Sequence, residues 1–307
     1  MPYIGIDTEK YGVIYNDCGD YSVVIECQNP VEQYCADYNA YQACHQLFEN
    51  ILKVLGSDYT LQKQDIFTTW KYPGKTNKDF LSTSYFKHFN GRKYIEITTY
   101  LVITKNVHRS MFFNYDEKQY EDFNDKVEKI IALLTSAGTS PTILFEKEIK
   151  QYVKRMIAFN FRDEHYFLDN IKSSDDSISI GDTKVKSISL VDVDEINLPN
   201  AVKPYIELKD FGYPYPVDFM GFLHDVPNFE TIVYNQIIVI PPQNTELTKL
   251  QTKRRRHKAI PDPANNVAVK DIDDILNDIA ATNQLLVYGH FNILIQAKKA
   301  HFNQTTN

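Results

Sequence analysis

Apolar positions along the chain switch between a period of two and a period of three to four, and the switches mark out its elements. Gly12 to Asn16 and Tyr21 to Cys27 are β-rich runs separated by Asp17-Cys18-Gly19-Asp20, which predicts a hairpin with a short turn. Tyr34, Tyr38, Tyr41, Phe48, Ile51, Leu52 and Leu55 then recur at helical spacing until Gly56 stops them, and His45 lies near this stripe as core histidines do. Tyr59 to Trp70 is extended, the loop KYPGKTNK follows, and a short helix is predicted from Asp79 to Phe89. Within it His88, Phe89 and Asn90 are expected to close the helix onto the next strand, with Phe89 buried and Asn90 in the turn before Gly91. Tyr94 to Thr104, β-branched and aromatic, predicts a central strand. Tyr120, Phe123, Val127, Ile130, Ile131 and Leu134 mark one face of a helix that Gly138 and Pro141 end, and Phe145 to Phe159 continues as a helix.

Lys172 to Asp176 predicts an exposed connection, and Ile178 to Leu190 a hairpin around Gly181-Asp182. A loop region rich in Pro and Tyr follows, where Tyr213-Pro214-Tyr215-Pro216 reads either as a binding surface or as a stiff packed loop. Thr231 to Ile240 predicts a strand stopped by Pro241-Pro242, Thr245 to Lys258 and Asp271 to Ala281 predict helices, and Gln284 to Ala297 the last strand. Lys298 to Asn307 reads as a polar tail. Both halves run hairpin, helix and strand, so the expected fold class is α+β in two lobes, 1–160 and 161–307, with mixed or antiparallel sheets. A length of 307 residues with 43% hydrophobic content supports that division, because single cores stop growing near this size.

A net charge of −7 argues against a dedicated duplex-DNA binder, whose field would be positive. The start MPYIGIDTEK lacks a basic region followed by an apolar signal core, and no apolar run reaches the ~18 residues of a membrane span. Cys18, Cys27, Cys35 and Cys44 form no C-x-x-C and fit no zinc spacing, so reduced, buried thiols are expected. Lys253-Arg254-Arg255-Arg256-His257-Lys258 is the dense basic run. It reads as a solvated helix end that complements the helix dipole, with weak single-strand nucleic-acid binding as the alternative.

Gly74, Lys75 and Thr76 follow an apolar run and precede a helix, in the order of a phosphate-binding loop. The spacing G-x-x-x-x-G-K-[ST] is not met, because Thr69 stands at the first glycine. Pro73 offers no N–H to the phosphate cradle, and Trp70 and Tyr72 crowd it. Asp163-Glu164-His165 gives no catalytic geometry, since neighbouring residues face different ways. Leu190-Val191-Asp192 imitates a Mg²⁺-holding strand end but has no phosphate loop to serve. No catalytic, cofactor or metal residue is therefore assigned.

Several patches in order carry a resemblance. Gln62-Lys63-Gln64-Asp65, Phe80-Leu81-Ser82 with Ser84, His88-Phe89-Asn90 with Arg92 and Tyr94, Tyr100-Leu101 and Thr104-Lys105 are followed by Ile180-Gly181-Asp182, Tyr234-Asn235-Gln236 and His290-Phe291-Asn292. Together they resemble the N-terminal region of TraG-type conjugation ATPases of Bacteroidetes conjugative transposons, which look like the VirB-type ATPases of type IV secretion. The resemblance implies a non-catalytic docking and assembly region that couples a motor to an inner-membrane channel. It further implies a cytoplasmic location peripheral to the inner membrane. Partners would be channel subunits, the region's own motor domain and further copies of itself, with no strong direct DNA binding. The P-loop motor, with its ATP and Mg²⁺, is not in this chain, whose polar tail suggests a cut at a domain boundary.

The failed spacing generates a direct expectation: the chain neither binds nor hydrolyses ATP through the GKT loop. Calorimetric titration with Mg-ATP checks it. Affinity better than about 100 μM, roughly −5.5 kcal/mol, that vanishes in Lys75→Ala would restore the phosphate-loop reading.

Overall fold

The structure of the protein, a computed structural model, describes residues 3–29, 38–73, 79–107, 116–163, 168–189, 205–207, 214–216, 223–260 and 262–306. Its strands are β1 (Tyr3–Asp7), β2 (Val13–Asn16), β3 (Tyr21–Cys27), β4 (Tyr59–Lys71), β5 (Lys93–Lys105), β6 (Thr142–Ile143), β7 (Ile171–Ser173), β8 (Ile178–Ile180), β9 (Thr183–Ser189), β10 (Tyr205–Glu207), β11 (Pro214–Pro216), β12 (Phe229–Ile240) and β13 (Tyr288–Lys298). All but β10 and β11, which pair with each other, join one 11-stranded sheet in the order β1-β2-β3-β5-β4-β12-β13-β9-β8-β7, with β6 added to β3. Every pairing in it is antiparallel, so the α+β class holds with an antiparallel rather than a mixed sheet.

The helices are α1 (Tyr38–Leu55), α2 (Phe80–Phe89), α3 (Glu117–Ser136), α4 (Glu146–Ala158), α5 (Gln243–Lys258), α6 (Pro263–Thr282) and α7 (Phe302–Thr306). Alternation along the strands sends successive side chains to opposite faces. On one face Val23, Ile25, Leu61, Leu101 and Ile103 meet Ile51 and Leu55 of α1 and Phe123, Val127, Ile130 and Leu134 of α3. On the other, Ile14, Val24 and Val102 meet Ile149, Tyr152 and Val153 of α4. Gly12 permits that second contact, since a Cβ there would stand 2.3 Å from Ile149 Cδ1 and 2.4 Å from the Leu144 carbonyl.

The expected division at residue 160 falls between α4 and β7, and the sheet runs across it. β4 pairs with β12 from Thr231↔Thr68 to Ile240↔Tyr59, which places the longest strands of the two halves side by side. α2 follows the last residue of β4 at one end of this pair. α5 and α6 follow the last residue of β12 and therefore stand at the opposite end, packed on each other.

Three local expectations need correction. Phe89 is not core: it is half-buried, on a helix without a buried residue, against the rings of Tyr72 and Tyr85. The helix expected from Asp271 starts at Pro263, because Asp262 caps it by accepting from the Ala264 N–H and Pro263 has a pre-set φ at the first turn. The tail is not merely polar and free, since it folds into α7 with Phe302 only 2% exposed. Asn90 does cap α2, and Gly91 takes φ +76° in the turn as expected.

Phe123 is fully buried, with its ring centroid 4.9 Å from that of Tyr21 and 6.4 Å from that of Tyr59. Phe123→Ala is expected to cost about 3–5 kcal/mol in urea unfolding. Phe89→Ala should cost under about 1 kcal/mol. Equal losses would return Phe89 to the core.

Candidate functional site

Two features stand apart from the core, a surface at the tip of the β4–β5 ribbon and a polar line through the sheet. The ribbon continues to Lys71↔Lys93, past the point where β12 stops pairing with β4, and α2 sits on its end. Asp79 caps α2 by accepting from the Ser82 N–H at 2.9 Å and from the Ser82 hydroxyl, and these bonds hold its carboxyl below the usual range. Tyr72 stacks on Phe86 at 6.3 Å and meets Phe89 and Tyr94 edge-on, while the Arg92 guanidinium lies over Phe89 at 5.4 Å. The helix is thus held by ring contacts at its base, and its outer apolar side chains face water. Phe80 is 79%, Leu81 74% and Tyr85 57% exposed. Exposed apolar side chains of this kind on an ordered element make α2 a candidate interaction surface.

The polar line begins at Tyr152 of α4, whose hydroxyl donates to Gln64 Oε1. Gln64 Nε2 donates to Asn235 Oδ1 at 2.7 Å, Asn235 Nδ2 to Asn292 Oδ1 at 3.3 Å, and Asn292 Nδ2 to Ser189 Oγ at 2.6 Å. Register places these residues directly opposite one another, Gln64↔Asn235, Asn235↔Asn292 and Asn292↔Ser189, across β4, β12, β13 and β9. Burial pushes the Tyr152 hydroxyl well above its ordinary pKa, so it stays protonated and donates. Built from amides and hydroxyls, the line fixes register. On the reverse face of β4, fully buried Asp65 is ion-paired with Lys63 and accepts from Thr99 Oγ1 at 2.7 Å and Asn29 Nδ2 at 3.1 Å. Cys27 and Cys44 lie buried nearby as free thiols, and burial raises Cys27 to about 12, which keeps it protonated and unreactive. Cys18 departs from the expected burial: it is half-exposed, its thiol donating to Asp17 Oδ1 at 3.3 Å; Cys35 lies outside the described residues.

The residues picked out in the sequence fall in separate places. Gly74, Lys75 and Thr76, like Glu164, His165 and Leu190-Val191-Asp192, lie outside the described residues. Lys253, Arg255, Arg256 and Lys258 are exposed on α5, whereas Arg254 pairs with Asp273 of α6 at 2.6 Å and His257 Nδ1 bonds Asn265. The acidic neighbour helix offsets part of that basic field. Pro214-Tyr215-Pro216 forms β11, and Tyr213 is outside the described residues. Gln64 faces Tyr100 on one side and Asn235 on the other, with Asn292 next, so four of the sequence patches share one part of the sheet. The sequence held one signal of this line: Gln62-Lys63-Gln64-Asp65 is an unbroken polar run between Leu61 and Ile66 in the middle of a long strand. Tyr152 carried no such signal, because it sits on the apolar stripe of its helix. Among the described residues no group of three or more His, Cys, Asp or Glu side chains is placed to hold a metal, and no helix is long and apolar enough to cross a membrane. The chain matches no protein-family model and no curated protein.

Removing the central amide tests the line. Asn235→Ala leaves the Gln64 and Asn292 amides short of a partner and is expected to lower stability by about 1–3 kcal/mol with the urea slope unchanged. An unchanged midpoint would show that the line does not hold the sheet.

Proposed function

We propose that the chain is a non-catalytic docking and assembly region of a conjugative-transfer ATPase of the TraG type, working at the cytoplasmic side of the inner membrane. The observation that carries this reading is α2, a capped and ordered helix with no buried residue that presents Phe80, Leu81 and Tyr85 to solvent. Exposed aromatic and aliphatic side chains on a stiff support suit a partner surface, because burying them releases water and few rotamers remain to be frozen. The two patches Phe80-Leu81-Ser82 and His88-Phe89-Asn90, part of the family resemblance, lie in or just after this helix. In this reading α2 grips an inner-membrane channel subunit, and the ribbon passes motion of a separate P-loop motor into the channel through the sheet. ATP and Mg²⁺ would act in that motor, and neighbouring copies of the chain would assemble around it.

The test is the triple variant Phe80→Ser, Leu81→Ser, Tyr85→Ser, assayed for co-sedimentation with inner-membrane vesicles that carry the channel subunits. Its melting temperature should stay within about 3 °C of the parent, because these positions are exposed, while co-sedimentation falls at least tenfold. Undiminished co-sedimentation by a folded variant would remove α2 from the docking surface.

A further inference from the structure

A cleft opens where β4 and β12 separate. The ladder between them ends at Thr231↔Thr68, but β4 runs on to Lys71, and the opening forms a cleft of about 420 Å³ lined by Trp70, Lys71, Lys93, Arg162, Glu230 and Lys298. Arg162, four residues beyond α4, enters this fork. Its Nη2 donates to the Thr69 carbonyl at 2.6 Å and its Nη1 to Glu230 Oε1 at 3.2 Å, so the guanidinium is fixed in place. The β12–β13 register shifts between Phe229 and Thr231, making Glu230 a bulged residue. Asn228, two residues before it, holds φ +55°, a left-handed conformation that asparagine readily adopts. Bulges of this sort gather where a side chain must be re-aimed toward a site.

The charges in the cleft are unbalanced. Among the described residues Lys71, Lys93, Arg162 and Lys298 line the cleft with one carboxylate, Glu230, which pairs with Arg162 at 3.2 Å and with Lys298 at 4.0 Å, in a chain whose net charge is −7. Lys71 and Lys93 stand directly opposite each other across the ribbon, an arrangement that costs stability, and neither has a carboxylate partner among the described residues. Lys71 and Lys93, cations without a carboxylate partner beside a pinned guanidinium at one opening, are what an oxyanion with several charges would satisfy.

We propose that this cleft binds a multiply charged phosphoryl oxyanion, either free pyrophosphate or the phosphates of a small phosphorylated metabolite. Arg162 supplies a pre-positioned donor, Lys71 and Lys93 clamp the ligand from the ribbon, and Lys298 closes the opposite side. The inference does not rest on the docking reading, since it uses neither the exposed side chains of α2 nor a protein partner.

Trp70 is the single tryptophan of the chain and lines the cleft, so its fluorescence reports the site. The full chain is titrated with pyrophosphate at constant ionic strength, in parallel with a sugar bisphosphate and with sulfate, and calorimetry is run on the same samples. Saturable binding of pyrophosphate is expected, with at least tenfold loss in Lys71→Glu and in Lys93→Glu and no loss in Lys75→Ala. Tighter binding of the bisphosphate would identify a metabolite as the source, and tighter binding of pyrophosphate the free anion. Lys71→Glu also replaces a like-charge pair by an opposite-charge one, so its melting temperature should hold or rise by about 1–3 °C while binding is lost. Equal response to sulfate, absence of saturation in both measurements, or full binding in a stable Lys71→Glu variant would each overturn the proposal.

Discussion

The ten-residue antiparallel ladder between β4 and β12 is the interaction on which the rest of the structure depends. It joins strands drawn from the two halves of the chain, and helices from the first half pack on the sheet it completes. Register is critical in such a ladder. A slip of one residue would exchange Phe67 and Ile232, which face one apolar layer, with Ile66 and Val233, which face the other. The Gln64–Asn235 bond opposes that slip, because displaced amides would lose each other inside the sheet, where no water replaces the partner.

Buried polar groups on both faces of β4 cost desolvation, and each is repaid only in the native register. Asp65 carries the larger penalty, being fully buried and charged, yet Lys63, Thr99 and Asn29 all converge on its oxygens. Such pairs add little net stability over an apolar core but make alternatives much worse. The centre of the sheet is therefore specified by polar matching as well as by packing.

Both proposed binding features lie where the ladders end. At the β4 terminus the ribbon outruns β12, leaving a fork that Arg162 fills and a tip that α2 occupies; at the other end the α5–α6 pair extends with Ile272 as its one buried side chain among those described. Free strand ends and exposed helices can change partners without disturbing the core, whereas the ladder interior cannot.

Most helices and strands are written in local sequence. Period-three-to-four spacing at Phe123, Val127, Ile130 and Leu134 led to a helix whose buried face is those residues, and β-branched runs located β4, β5 and β12, since local period and backbone preference act within a few residues. Phe89 was misread because a short aromatic helix has the same composition whether it is covered or exposed, and α6 was started late because Asp262-Pro263 reads as a break until the cap is seen. The patches that hold Gln64, Tyr100, Asn235 and Asn292 were legible one by one, but not that these residues share one line across the sheet. Nor could Lys71, Arg162, Glu230 and Lys298 be seen as one cleft. Those juxtapositions join residues up to 228 positions apart, Gln64 to Asn292, and only the pairing of β12 with both β4 and β13 brings them within reach of one another.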